Sequence, residues 1–397
     1  MLPFAILLAA AALLRGQDVT FHRDVLPVLQ ARCQECHRAE QMAPMAFTTY
    51  AETRPWARAI RQAVATRKMP PWFADPCCGT FAHDRRLPDA EMRTLMAWSD
   101  RGAAEGNPSD APPARSWAEW NLPRVDAVVS MPEPFLVPAA EAVEYQYLVI
   151  ANAVSEDKWV RGVEVQPTDR AVVHHAVVYI RKQGDTWTRG PTTADILTVY
   201  APGGVPDVFR EDMAKLIPAG ADLVLEVHYT PKGTEVRDKM EVGLMFASER
   251  PAKRVITLQM ATTDFRIPPG AANHQVAVWG TLPNDALLIG FFPHMHLRGK
   301  AFEFTLVPET GGVETLLKVS PYDFYWQLSY RLAEPRALAK GTRLNFIATY
   351  DNSAANPRNP DPGAAVRYGL QSWDEMMVGF FDIAVDAAVN KETYFVR

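Results

Sequence analysis

Ala171-Val172-Val173-His174-His175-Ala176-Val177-Val178-Tyr179-Ile180 is a run dominated by β-branched and aromatic side chains. Such residues fit a pleated, half-buried surface better than a helix. Comparable runs follow at Tyr145–Ile150, Asp222–Tyr229, Gln275–Trp279 and Leu287–Phe292, punctuated by Pro and Gly. Short strands separated by turn residues predict antiparallel β-sandwiches. The stretch after Pro123 is too long for one ordinary sandwich, so two are expected, over 124–251 and 252–397, with the charged segment from Glu249 to Arg254 as their junction.

Upstream the texture is helical. Val25, Val28 and Leu29 form one stripe, Trp56, Ile60 and Val64 a second, and Met92, Leu95 and Met96 a third, with Asp89 as N-cap and Gly102 just past the end. Pro27 is tolerable in a first turn. A small all-α domain over 17–105 is therefore expected ahead of a Pro/Ala-rich linker over 106–123, and the fold class is mainly β.

The apolar run Met1–Leu14 is short for a bilayer span and stops at Arg15-Gly16-Gln17, so residues 1–16 read as a secretory signal, with a short anchor as the alternative. An exported protein, periplasmic or secreted, is expected, with no stable membrane span. A net charge of -5 with both signs interspersed gives no footprint for nucleic acid and no polybasic membrane patch. All four cysteines lie in the first hundred residues, so the β region must be held by its own cores.

Cys33-Gln34-Glu35-Cys36-His37 is a CxxCH sequence, the attachment signal for c-type heme. On a helix the two thiols share a face, so both can form thioethers to one macrocycle while His37 reaches its iron. A zinc site would need a second ligand pair, which is missing. Phe21-His22-Arg23-Asp24-Val25-Leu26-Pro27 is similar to the opening of small bacterial cytochrome c domains. Lys68-Met69-Pro70-Pro71-Trp72 resembles the segment that presents their axial methionine, which makes Met69 the expected sixth ligand in competition with Met42, Met45, Met92 and Met96. Cys77-Cys78 could form a strained disulfide or bind a metal; two partly buried free thiols without function are the expectation.

Of nine histidines, His174, His175, His228, His274, His294 and His296 lie outside the cytochrome-like segment. One histidine in an apolar strand is ordinarily a satisfied core residue, but three clusters of them suggest metal ligands. His294-Met295-His296 puts two imidazoles at i and i+2, on one face of a strand. His174-His175 are adjacent and would point to opposite faces, so joint ligation requires a bulge or a strand end. His228 would complete a three-nitrogen site with that pair.

Val173-His174-His175-Ala176, Val227-His228-Tyr229, Pro293-His294-Met295-His296-Leu297-Arg298-Gly299-Lys300 and Asp374-Glu375-Met376 occur in the order found in type II copper, ascorbate-dependent monooxygenases, the peptidylglycine and dopamine hydroxylase family, which this chain resembles over nearly all of its length beyond the linker. The resemblance implies jelly-roll-like sandwiches and two copper ions. It implies an electron-transfer copper on His174, His175 and His228 and an oxygen-activating copper on His294, His296 and Met376. Imidazole suits both copper oxidation states and a thioether favours Cu(I). Met377 is the competing ligand, and the motif alignment selects Met376.

Three positions depart from the peptidylglycine pattern. Phe292 stands where those enzymes carry an arginine for the peptide carboxylate, and Val378 and Phe380 replace an asparagine and a tyrosine. A less polar pocket is expected, because a buried carboxylate without a partner is costly. The resemblance implies insertion of one dioxygen atom into a C–H bond of a small molecule or peptide, with ascorbate or another one-electron reductant as donor and the covalent heme c as a relay. The alternative is a non-catalytic heme/copper electron carrier or copper-binding protein. A zinc hydrolase is weaker, because neither site has a carboxylate base beside it in a recognisable hydrolase motif; Glu226 is the nearby candidate base.

Overall fold

A computed structural model describes residues 18–186, 195–308, 312–391 and 394; the expected signal over 1–16 lies outside them. The chain divides into two compact units. One comprises the chain up to Pro70, except Glu40–Met42, together with Arg86–Ser116; the other comprises Glu40–Met42, Pro71–Arg85 and Trp117–Arg397.

The first unit is helical. A single π turn, Phe21–Val25, runs into the helix Leu26–Arg32, where Pro27 sits in the first turn. Thr49 and Glu52 form a reciprocal capping box that starts Tyr50–Thr53, and the chain continues through Arg54–Trp56 into Ala57–Ala65. The last helix is Asp89–Asp100. Asp89 is not its N-cap: Pro88 holds the extended capping conformation, and Asp89 instead places its charge in the first turn, against the positive end of the helix dipole. Phe21, Val25, Leu29, Leu95 and Trp98 form the fully buried centre.

The second unit is mainly β, with two sandwiches. In the first, strands Gln146–Ile150, Asp222–Tyr229, Val173–Arg181 and Asp195–Tyr200 lie side by side in that order. Their inward residues, Val178, Leu223 and Leu225 among them, pack with Val160, Val163 and Val242 from the opposing strands. In the second, His274–Thr281, Arg343–Tyr350, Gly299–Val307 and Glu314–Val319 form one sheet. Its Phe302, Phe304 and Phe346 meet Phe291 and Phe381 of the other.

The expected junction at Glu249–Arg254 is where the inner sheets fuse. Lys253 and Arg254 pair in parallel with Met213 and Ala214, so one nine-stranded sheet runs through both sandwiches. A further apolar layer lies between the sandwiches. Residues that alternate away from the first core, Val177, Tyr179 and Val224, pack against Phe292, Met376, Val378 and Phe380, which alternate away from the second. Gly379, between Val378 and Phe380, faces the second core instead, where a Cβ would lie 2.4 Å from the Phe346 ring.

Pro71–Arg85 forms a strap on the second sandwich, with bridges Ala74 to Val319 and Phe81 to Leu332. Cys77 and Cys78, expected as free thiols, are joined in a disulfide at its turn. Asp75 shapes that turn by accepting the Cys77 N–H at 2.9 Å.

Candidate metal centre

The His–His strand, Val173–Arg181, has the irregularity that adjacent ligands require. Val173 pairs with Tyr229 and His175 with His228, so a bulge at His174 turns both rings to one side. One nitrogen from each of His174, His175 and His228 lies within 4.8 Å of the others. The Nδ1 atoms of His174 and His175 are 3.0 Å apart, while His175 Nε2 faces the Tyr145 hydroxyl at 3.3 Å. His175 therefore presents Nδ1 to the centre. The Tyr145 ring stacks on His228 at 4.7 Å and closes one side.

Strand register builds the second half. In Ala286–His294 and Met377–Asp386, Phe292 pairs with Phe380 and His294 with Val378. Carried two residues further, this register sets Met376 opposite His296, on the face that His294 occupies. Met295 and Met377 alternate to the other face and are fully buried in the second core. Geometry thus separates the two candidate methionines: Met376 belongs to the layer between the sandwiches, Met377 to packing.

The two predicted ligand sets adjoin. The His175 and His294 ring centres are 5.4 Å apart, and those of His294 and His296 are 5.2 Å apart. Phe324 stacks on His174 at 4.5 Å. His274, by contrast, begins an outer strand opposite Tyr350.

These rings lack ordinary partners. His174 Nε2, His228 Nδ1 and both nitrogens of His296 are buried without a hydrogen bond; backbone groups of Phe324 and Asp374 lie beside His174 and His296 without meeting hydrogen-bond geometry. Buried polar atoms in native proteins are nearly always satisfied, so His174, His175 and His228, with one nitrogen each inside a 4.8 Å cluster, could hold a metal ion. Burial, reinforced by the neighbouring rings, lowers His174 to about 3, and burial with His294 close by lowers His228 to about 4. Burial lowers His294 to about 4 against the hydrogen bond that its Nδ1 donates to Gln327 Oε1, so all three rings are neutral and ready to ligate near pH 7. An all-nitrogen set with one thioether is softer than magnesium or calcium prefers and suits copper.

The supporting shell escaped the sequence reading. Gln327 Oε1 lies 2.7 Å from His294 Nδ1, which makes Nε2 the ligating nitrogen. Glu375, wholly buried, accepts the backbone N–H groups of His296 at 2.9 Å and Arg298 at 2.6 Å, fixing the turn after the second histidine. Burial pushes its carboxyl up to about 8 against the pull of these donors and the Arg298 charge. The Tyr322 hydroxyl bridges the backbone N–H and carbonyl of Met295. Glu375 lies inside a recognised motif and was accessible to inspection; nothing in the sequence marks Gln327.

In the helical unit, burial raises the Cys33 thiol to about 12. His37 Nδ1 lies 3.2 Å from the Met45 carbonyl and its ring stacks on Phe47 at 4.4 Å, which leaves Nε2 for a ligand. Met45, Met92 and Met96 pack on the helical core, whereas Met69 is half-buried outside that cluster. Cys33, Cys36 and His37 are the donor types that a c-type heme would take.

No family model matches the chain, and no curated protein matches it. Among solved structures it is similar to the major capsid protein P2 of bacteriophage PM2, at 8% identity and a TM-score of 0.30, covering 66% of this chain and 98% of that one. It is also similar to PNGase F, a glycosylasparaginase from Flavobacterium meningosepticum, at 10% identity and a TM-score of 0.30, covering 66% of this chain and 96% of that one.

Proposed function

We propose that this chain is a copper-dependent monooxygenase that hydroxylates a C–H bond of a predominantly apolar substrate. The observation that carries the reading is the convergence of four buried histidines and the half-buried His228 from two sandwiches, several with orphaned nitrogens, beside Met376 in the apolar layer between them. Copper held by these residues supplies one-electron redox chemistry and dioxygen activation. The balance takes one C–H bond, one dioxygen, two electrons and two protons to an alcohol and water.

The chain's own residues prepare that chemistry. Gln327 and Tyr145 select which nitrogen of His294 and His175 faces inward. Phe292, Val378 and Phe380 keep water from the Met376 side and leave an apolar surface for the substrate. A covalent heme, which Cys33, Cys36, His37 and Met69 would hold, would supply a one-electron carrier between ascorbate or another reductant and the copper.

A carrier without turnover is the second reading, favoured by the closed character of the cluster, in which His296 is 0% exposed. Metal analysis, an optical spectrum and oxygen-coupled product formation separate the two. Two coppers and one covalent heme per chain with product from a C–H donor support the monooxygenase. Full metal loading with no product from any donor supports the carrier, and no copper binding refutes both.

A further inference from the structure

The face of the first sandwich turned toward Met376 carries one residue unlike its neighbours. Strand pairing gives a row Val199, Val177, Glu226, Tyr147. It lies two residues along from the row of His175 and His228, or about 7 Å away. Val177 packs with Phe292, Phe380 and Met376 in one apolar cluster, with Val199 and Tyr147 against it. Within this row the Glu226 carboxyl bonds to the Tyr147 hydroxyl, while its Oε2 is buried and has no hydrogen-bond partner.

Nothing about folding calls for a carboxyl there. A leucine or methionine would fill the position without stranding an acceptor, and a stranded buried acceptor is destabilising. Val199, Ile196, Phe292 and Phe380 also line a cleft that they share with the charged Arg85, Asp207, Lys215, Arg331 and Asp382, so part of the same apolar layer borders open space. A buried acceptor without a partner beside an apolar layer is the form that a polar anchor for a small molecule takes.

We propose that Glu226 is the polar anchor of the substrate site: Oε2 accepts a hydrogen bond from a hydroxyl or ammonium group on a small, otherwise apolar substrate whose body lies against Phe292 and Phe380. A substrate ending in a carboxylate is rejected, because its oxygens would meet Glu226 acceptor to acceptor. The position of the reacting carbon near Met376 rests on the monooxygenase reading; the preference for a donor does not.

The test uses the full chain, copper-free and copper-loaded, with calorimetric binding of cyclohexylmethanol, cyclohexylmethylamine and cyclohexanecarboxylate, which share one apolar body. The alcohol, the amine or both should bind at least about tenfold tighter than the carboxylate. The tighter of the two identifies the donor. Glu226→Met should remove the preference, while Glu226→Gln, whose amide oxygen still accepts, should keep the alcohol and weaken the amine. If Glu226→Met does not fold, the altered amine-to-alcohol ratio in Glu226→Gln decides. Equal affinity for all three probes, no binding of any, or a preference that survives both substitutions overturns the proposal. Donor selectivity in a chain that takes up no copper would sink the monooxygenase reading and leave the anchor standing; copper uptake without selectivity does the reverse.

Discussion

The first sandwich gathers its three imidazoles by breaking strand regularity, whereas the second places its two imidazoles and a thioether by obeying it. The bulge at His174 is a local departure that brings adjacent rings to one side. His294 and Met376 need no departure, since alternation and antiparallel register put them on the face of Phe292 and Val378, and His296 follows just past the strand end. The supporting shells differ too. Tyr145 contacts the first set through a 3.3 Å hydroxyl contact and ring stacking, while Gln327 and the buried Glu375 hold the second through short hydrogen bonds.

The most severe way to break this contrast is His296→Ala. Product formation should fall by about a thousandfold, with copper dropping toward one per chain while the first set keeps its metal. A variant that retains two coppers and its turnover would remove His296 from the ligand set. Next comes the methionine pair. Met376→His should keep copper yet reduce hydroxylation about a hundredfold by favouring Cu(II). Met377→Leu, a core exchange, should lower stability by less than about 1.5 kcal/mol and leave turnover in place. The reverse pattern at equal copper loading would show that the thioether comes from the other side of the strand.

The shells predict smaller differences. Gln327→Leu should weaken copper at the second set by about ten- to a hundredfold, judged by competition with a chelator. Tyr145→Phe keeps the stacked ring and should cost the first set only about a few-fold. Equal losses would erase the asymmetry between the halves.

Acid tests both halves together. His174, His228 and His294 are lowered from 6.5 to about 3, 4 and 4, so on unfolding they take up protons that the fold refuses. Their neutral-state contribution is complete above pH 6.5 and is lost as pH falls from about 6.5 toward about 4 for His228 and His294 and about 3 for His174. The melting temperature of copper-free protein should fall through that window. A flat profile would mean that the rings are solvated.

Period-2 runs made the strands legible: Asp222–Tyr229 stands as read, and Leu287–Phe292 extends only to Ala286–His294. The need for a bulge at His174-His175 followed from alternation alone. What alternation could not supply was the approach between sheets. The 5.4 Å separation of His175 and His294 depends on how two non-core faces stack, which no local pattern encodes. Gln327 was invisible for a related reason: it comes from an irregular segment, and only tertiary packing brings it to His294. The disulfide at Cys77-Cys78 went unread because adjacent cysteines carry no pattern that separates bonded from unbonded sulfur.

The seam between Lys253–Arg254 and Met213–Ala214 bears on how such a protein avoids aggregation. Two independent sandwiches would each expose a strand flank at this point, with unpaired N–H and C=O groups open to pairing with another chain. Joining those flanks, even over so short a ladder, hides both from neighbouring molecules in a region with no cysteine to staple it. Arg254 reinforces the join by pairing with Asp195 at 3.2 Å, tying the start of the second sandwich to a strand of the first. Proline at position 253 would remove a seam hydrogen bond, and its first symptom should be loss of soluble yield at high concentration, before any change in metal content.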